Sequence, residues 1–250
     1  MVRLSLAGFI GVVLLAAAAP SSARECAVLL HGLGRGPASM WLLGERLEAA
    51  GFAVERPAYP SRAAPIAQLV DVVDKGLDAC RAGGHAPVHF VGHSLGGMLV
   101  RARLARDTPP DVGRLVMLAP PNGGSEIADR ARDSWWYRAM TGPAGQELGT
   151  DASALPRRLP PPTIETGVIA GTVSLDPWFS AWLPGADDGK VAVSRTRLAG
   201  MRDFLTVPHG HTFIMNGTDV ARATIAFLRH GRFAGPAATP AARAAGRIPP

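Results

Sequence analysis

The amino-acid sequence predicts an α/β fold, a mostly parallel sheet of about six strands covered by helices on both faces. Short apolar runs such as Cys26–Leu30 lack the polar alternation of a half-exposed strand, so they read as strands buried on both sides. Between such runs lie segments of helical period, several opened by proline and closed by glycine. The joins are short and no internal repeat occurs, which suits strand–helix–strand units wound in one layer. A composition of 47% hydrophobic and 18% charged residues supports a well-filled core.

The chain of 250 residues opens on a segment, 1–23, with the form of a secretory signal. Arg3 is its short positive region, Leu4–Ala19 its apolar core, and Ser21-Ser22-Ala23 a small-residue cleavage site. The 16 residues of that core fall short of the roughly 20 that span a bilayer, so export is expected ahead of anchoring by an uncleaved segment. Ala23-Arg24-Glu25 before Cys26 lacks the pattern of a lipidation site. Removing 23 residues leaves 227, the size of one domain, and lowers the formal charge from +6 to +5. The arginines are scattered and not interleaved with aromatics, so nucleic acid is not an expected partner. A mild attraction to anionic surfaces, as in transient membrane contact, remains compatible with the charge.

Cys26–Leu30 is the first expected strand, followed by His31-Gly32-Leu33-Gly34. Pro37 opens a helix with Met40, Leu43, Leu47 and Ala50 on one face, closed by Gly51. Phe52–Glu55 is a second strand. Pro65 opens a helix carrying Ile66, Leu69, Val73 and Leu77, which ends near Cys80. A third strand leads from Val88 into a helix reaching about Arg106, and Gly113–Leu118 is the fourth. Residues 133–163 break the rhythm with Trp135-Trp136-Tyr137, several glycines and clustered prolines, and read as a cap or loop insertion. Its aromatics are either a mobile apolar lid and acyl wall or plain packing. Thr166–Ala170 and Asp203–Val207 complete the sheet, and a last helix spans about Asp219–His230. The domain is thus expected over 24–232. The tail 233–250 is too poor in bulky apolar residues to order itself.

Cys26 and Cys80 both fall at the N-terminal edge of such a sheet, away from the edge where functional groups collect. In an exported chain a disulfide between them is favoured over two buried thiols, and their spacing does not suggest a metal site.

The third strand ends in Gly92-His93-Ser94-Leu95-Gly96 and passes straight into a helix. This is the form of a turn that lifts a serine hydroxyl above the sheet, with small residues two positions either side. With 12 serines and 29 glycines, about 0.16 such matches arise by chance, so partners elsewhere must carry the reading. A serine hydroxyl needs a base within hydrogen-bond reach and a carboxylate to orient that base. In this topology they follow in the order serine, acid, histidine. His211, pinned by the run Thr212–Met215, is the preferred base and His209 the alternative. His31, His85, His89 and His93 come too early, and His89 and His93 read as hydrogen-bonded structural histidines. His230 suits a helix C-terminus. Asp176, Asp187 and Asp188 all remain candidates for the acid on position alone. Backbone N–H groups of Leu95 and Leu33 are the expected donors to a developing oxyanion.

These residues, with Pro120-Pro121-Asn122-Gly123-Gly124-Ser125 and Asp188-Gly189-Lys190-Val191, give the chain from Glu25 to Arg232 a resemblance to the α/β-hydrolase superfamily. Within it the chain resembles compact bacterial triacylglycerol lipases and esterases and the lipase-like domain of GPI inositol-deacylases. Asn122 departs from the histidine often found there. The resemblance implies Ser94 as nucleophile, Asp188 as acid, His211 as base, and Leu33 and Leu95 as oxyanion donors. It also implies a serine hydrolase acting on acyl esters of lipid type, which the leader makes an exported one; the chain shows no clear counterpart of the lipase calcium loop, so no metal or cofactor is expected. The same triad would also serve an acyltransferase or a thioesterase, and a non-catalytic binding protein is the reading from another class.

Overall fold

The computed structural model describes residues 23–233. The leader read at 1–23 lies outside it except for Ala23, as does the tail beyond Phe233. Six strands form one all-parallel sheet, β1 (Cys26–Leu30), β2 (Ala53–Glu55), β3 (Val88–His93), β4 (Val112–Leu118), β5 (Thr166–Gly171) and β6 (Asp203–Val207), in the order β2-β1-β3-β4-β5-β6. The strands match the sequence reading to within a residue at each end. The expected helix from Pro65 is two helices, Ile66–Leu69 and Asp71–Ala82, joined at Val70.

Side-chain alternation along the buried strands divides the core into two layers. Cys26, Val28 and Leu30 of β1 face the helices Ile66–Leu69, Asp71–Ala82 and Leu95–Leu104. Ala27 and Leu29 face Trp41–Ala49 and the last helix, Thr218–His230. Both faces of the central strands are therefore dry, which is why their sequence shows no polar alternation. Helix Thr218–His230 closes on Gly231 in a left-handed conformation (φ 69°), the usual way to satisfy terminal carbonyls. Phe233, which the sequence places at the start of the tail, stacks on Phe227 with ring centroids 4.9 Å apart and donates its N–H to Asp203 Oδ2 at 2.7 Å.

Residues 133–163 carry two helices, Trp135–Gln146 and Leu155–Arg158. The first kinks at Gly142 (φ 60°), where an added Cβ would come 1.9 Å from the Arg62 carbonyl oxygen. A buried arginine ties this segment down. Arg101, from helix Leu95–Leu104, donates to the carbonyl of Leu159 at 2.7 Å and to Asn122 Oδ1 at 3.0 Å.

Cys26 and Cys80 form a disulfide at the N-terminal edge of the sheet. It closes a loop of about 55 residues, worth roughly 4 kcal/mol in the chain-entropy description. Replacing both cysteines with alanine should lower the unfolding free energy by about that amount in denaturant titrations, without altering the opposite edge.

His89 gives the fold an acid-sensitive point. Its Nδ1 accepts the Arg114 N–H at 2.9 Å, and burial, reinforced by the Arg114 charge, pushes its pKa down to about 4. Between about pH 6.5 and 4 the unfolded chain binds a proton that the folded chain refuses, so stability falls as the pH falls through that window. His89→Asn keeps an acceptor for Arg114 and should flatten the dependence of Tm on pH over that range.

Candidate active site

The third strand delivers Ser94 at φ 51°, ψ −117°, a positive-φ conformation that a serine adopts only when its surroundings enforce it. Its N–H donates to the Leu118 carbonyl at 2.8 Å and its own carbonyl accepts from Gly97 at 3.1 Å. Helix Leu95–Leu104 then starts so close to β1 that a Cβ on Gly96 would lie 2.3 Å from the Leu30 oxygen. A Cβ on Gly92 would lie 2.4 Å from the Gly97 nitrogen. Glycine at both positions is what lets the turn close.

Ser94 Oγ stands 3.1 Å from His211 Nε2, and His211 Nδ1 stands 2.8 Å from Asp188 Oδ2. The carboxylate fixes the tautomer. Nδ1–H donates to Asp188, which leaves Nε2 as the acceptor facing the serine hydroxyl. The Asp188 side chain is fully buried. Its second oxygen, Oδ1, accepts the N–H groups of Lys190 at 3.0 Å and Val191 at 2.8 Å. This carboxylate thus sits in a turn that supplies donors to one oxygen and the imidazole to the other.

The two competing aspartates lie close by and are otherwise engaged. Asp187 Oδ1 accepts from the Gly189 N–H at 2.7 Å and the Ser180 hydroxyl at 2.8 Å, bracing the same turn. Asp176 pairs with Lys190 at 2.8 Å. His209, the alternative base, bonds Asp219 at 2.7 Å and anchors its loop to the last helix.

The histidine loop is held from three sides. His211 donates its N–H to the Asp188 carbonyl at 2.9 Å. His93 Nε2 is 3.0 Å from the His211 carbonyl, and Ile214 and Met215 are buried beneath the loop. Burial, with the neighbouring His211 and Arg35 charges, holds the His93 pKa well below the ordinary histidine value. It therefore donates to that carbonyl as a neutral ring. Gly32 makes room for it, since a Cβ there would lie 2.7 Å from His93 Nδ1.

Several side chains hold the surrounding loops in ways the sequence does not show. Tyr59 stacks on His31 with ring centroids 4.1 Å apart and donates its hydroxyl to the His31 carbonyl, fixing the His-Gly loop. Ser61 Oγ accepts the Gly34 N–H at 3.0 Å. Ser125 donates its hydroxyl to the Lys190 carbonyl at 2.8 Å, joining the loop after β4 to the Asp188 turn. Asn122 donates to the Thr196 carbonyl at 2.8 Å. The resemblance to a motif could mark Ser125 and Asn122, but only the folded chain reveals what they hold. The amides of Leu33 and Leu95 have no acceptor among the described residues, as required of donors kept for a substrate.

A cavity of about 340 Å³ opens onto Ser94 and His211. Its far wall is apolar, built from Ile127, Ala128, Tyr137, Met140, Leu148 and Val191. Of the aromatic triplet, Tyr137 is buried in that wall, Trp136 packs against Phe179 at 6.3 Å between centroids, and Trp135 is exposed. Among the described residues no group of three or more His, Cys, Asp or Glu side chains is placed to hold a metal ion, and no helix is long and apolar enough to cross a membrane.

A search of curated proteins finds no match. The fold is similar to Bacillus licheniformis lipase BlEst2 in its mature form, at 18% identity and a TM-score of 0.66, covering 86% of this chain and 95% of that one. It is similar to the metagenomic carboxyl esterase MGS0156, at 20% identity and a TM-score of 0.58, covering 83% of this chain and 70% of that one. Phospholipase PlaB from Legionella pneumophila also resembles it, at 17% identity and a TM-score of 0.58, covering 81% of this chain and 57% of that one. At these identities the likeness is one of fold. A model of the alpha/beta hydrolase family matches residues 27–248. The chain belongs to the alpha/beta hydrolase family.

Proposed function

We propose that the protein is an exported serine hydrolase that cleaves carboxylic esters of lipid type through an acyl-enzyme on Ser94. The observation that carries this is the unbroken hydrogen-bond chain from Ser94 Oγ through His211 to the buried Asp188. The Cys26–Cys80 disulfide supports export, since such bonds persist in oxidising compartments.

In the proposed reaction His211 Nε2 takes the hydroxyl proton as Ser94 Oγ attacks the ester carbonyl. The Leu33 and Leu95 amides receive the oxyanion, where one preorganised donor is worth roughly 2.7–4 kcal/mol. The imidazolium, stabilised by Asp188, returns the proton to the departing alkoxide. Water then enters, gives its proton to His211 and releases the acid from Ser94. The apolar wall from Ile127 to Val191 accommodates an acyl chain. Trp135, Met140, Trp178 and Phe213 stand exposed on connections that leave the same edge of the sheet, which suits contact with an aggregated or membrane-borne ester.

Hydrolysis of p-nitrophenyl esters of graded chain length should proceed with a preference set by the cavity. Ser94→Ala should reduce kcat by at least ~10⁴-fold, and Asp188→Asn, which keeps the shape but not the charge, by about 10³–10⁴-fold. A fluorophosphonate should label the wild type and not Ser94→Ala. Undiminished turnover by folded Ser94→Ala would refute the mechanism.

A further inference from the structure

The cavity at Ser94 has a second chamber. A side pocket of about 260 Å³ lies between the His-Gly loop and the segment Tyr59–Ala63, and shares Gly34, Arg35 and Arg62 with the main cavity. The two chambers differ in chemistry. The wall under the 133–163 insertion is apolar, whereas the side-pocket end presents two guanidinium groups.

Both arginines are placed by contacts already described. The Tyr59–Ala63 segment is fixed by the Tyr59 and Ser61 hydrogen bonds, and the Arg62 carbonyl abuts the kink at Gly142. The Arg62 stem lies over Gly34, where an added Cβ would be 3.7 Å from Arg62 Cδ. Arg35 reaches across to Phe213, two residues past His211, with its guanidinium carbon 5.4 Å from the ring centre. Its charge is felt at the reacting centre, adding to the burial that lowers the pKa values of His31 and His93.

Neither arginine has a carboxylate within 4.0 Å among the described residues, and no Asp or Glu lines either chamber. The third cation there, Lys190, is neutralised by Asp176. Other described arginines are paired, as in Arg195–Glu126 at 2.7 Å and Arg132–Asp129 at 2.8 Å, and those that are not, such as Arg157 and Arg222, line neither chamber. Two arginines without a carboxylate partner lining one small concave space are suited to an oxyanion, which a guanidinium can engage with forked donors.

We propose that the ester this site favours carries an anionic group, phosphate or carboxylate, on its alcohol portion, held by Arg35 and Arg62 while the acyl chain occupies the apolar wall. This rests on the serine-esterase reading above. The anion lies on the alcohol side because the acyl chain takes the apolar wall, which leaves the arginine-lined end beside the Leu33 loop for the alcohol portion. The group sets specificity and takes no part in the proton transfers.

Short-chain substrates below their aggregation threshold test this without a lipid surface. They are 1-butanoylglycerol, its 3-phosphate, and the butanoyl ester of 3-hydroxypropanoate. The expected result is a kcat/KM at least about tenfold higher for an anionic ester than for the neutral one, the arm that gains more identifying phosphate or carboxylate. Arg35→Gln and Arg62→Gln should each lower the anionic-to-neutral ratio several-fold, and the double variant should bring it to about one. Arg106→Gln makes the same change in net charge on a residue paired with Asp71, remote from the cavity, and should leave the ratio unaltered. A wild-type ratio near one, a ratio that survives the double variant, or an equal fall in Arg106→Gln would each overturn the proposal. In those cases Ser94-dependent cleavage of the neutral ester keeps the esterase reading intact. Loss of Ser94 dependence would remove that reading instead.

Discussion

The site depends first on how closely helix Leu95–Leu104 approaches the sheet. Gly92 and Gly96 allow backbone atoms of the helix start, β1 and β3 to lie where any side chain would collide. That approach forces Ser94 into its positive-φ turn, and the turn raises the hydroxyl clear of the strand ends. The strain persists because β4 and the helix itself bond the Ser94 backbone on both sides, through Leu118 and Gly97. The same closeness sets the Leu95 amide at the start of a helix whose dipole favours negative charge there. One packing constraint therefore fixes together the Ser94 hydroxyl and the Leu95 amide, the proposed nucleophile and oxyanion donor.

The remaining parts are held by bonds between loops rather than by the sheet. Ser125 grips the Asp188 turn through the Lys190 carbonyl, Asp187 braces that turn from within, and the turn in turn receives the His211 N–H. His93 holds the far side of the histidine loop through the His211 carbonyl. Because burial keeps His93 neutral, this support adds no positive charge that would oppose formation of the His211 imidazolium. Tyr59 plays the matching part for the His-Gly loop. Loops from five strand ends thus converge on three side chains, and each is tied to at least one other.

Much of this was legible in the sequence because it rests on local patterns. Uninterrupted apolar runs mark strands covered on both faces, and Gly-x-Ser-x-Gly after such a run marks the turn at Ser94. His211 was legible because Ile214 and Met215 follow it as buried anchors. The acid was not, from position alone. Asp176, Asp187 and Asp188 share one connection, and what separates them is the direction each carboxylate faces, which the turn's hydrogen bonds determine. The roles of Tyr59, Ser61 and Ser125 were also silent, because each acts through a backbone partner 27 to 65 residues away. Trp135-Trp136-Tyr137 looked like one unit, yet helical spacing points the three side chains in different directions.

The charge pattern follows from which arginines find partners. On the helical faces and the N-terminal edge they meet carboxylates, as in Arg103–Asp74, Arg81–Asp111 and Arg114–Glu165. Such exposed pairs add little stability, but they cancel charge locally. Arg35 and Arg62 lack that cancellation, as do several arginines away from the site, but these two line the chambers at Ser94. The cavity is therefore lined by arginines on one flank and by apolar side chains on the other. An ester with one apolar and one anionic end would be oriented by that asymmetry before any proton moved.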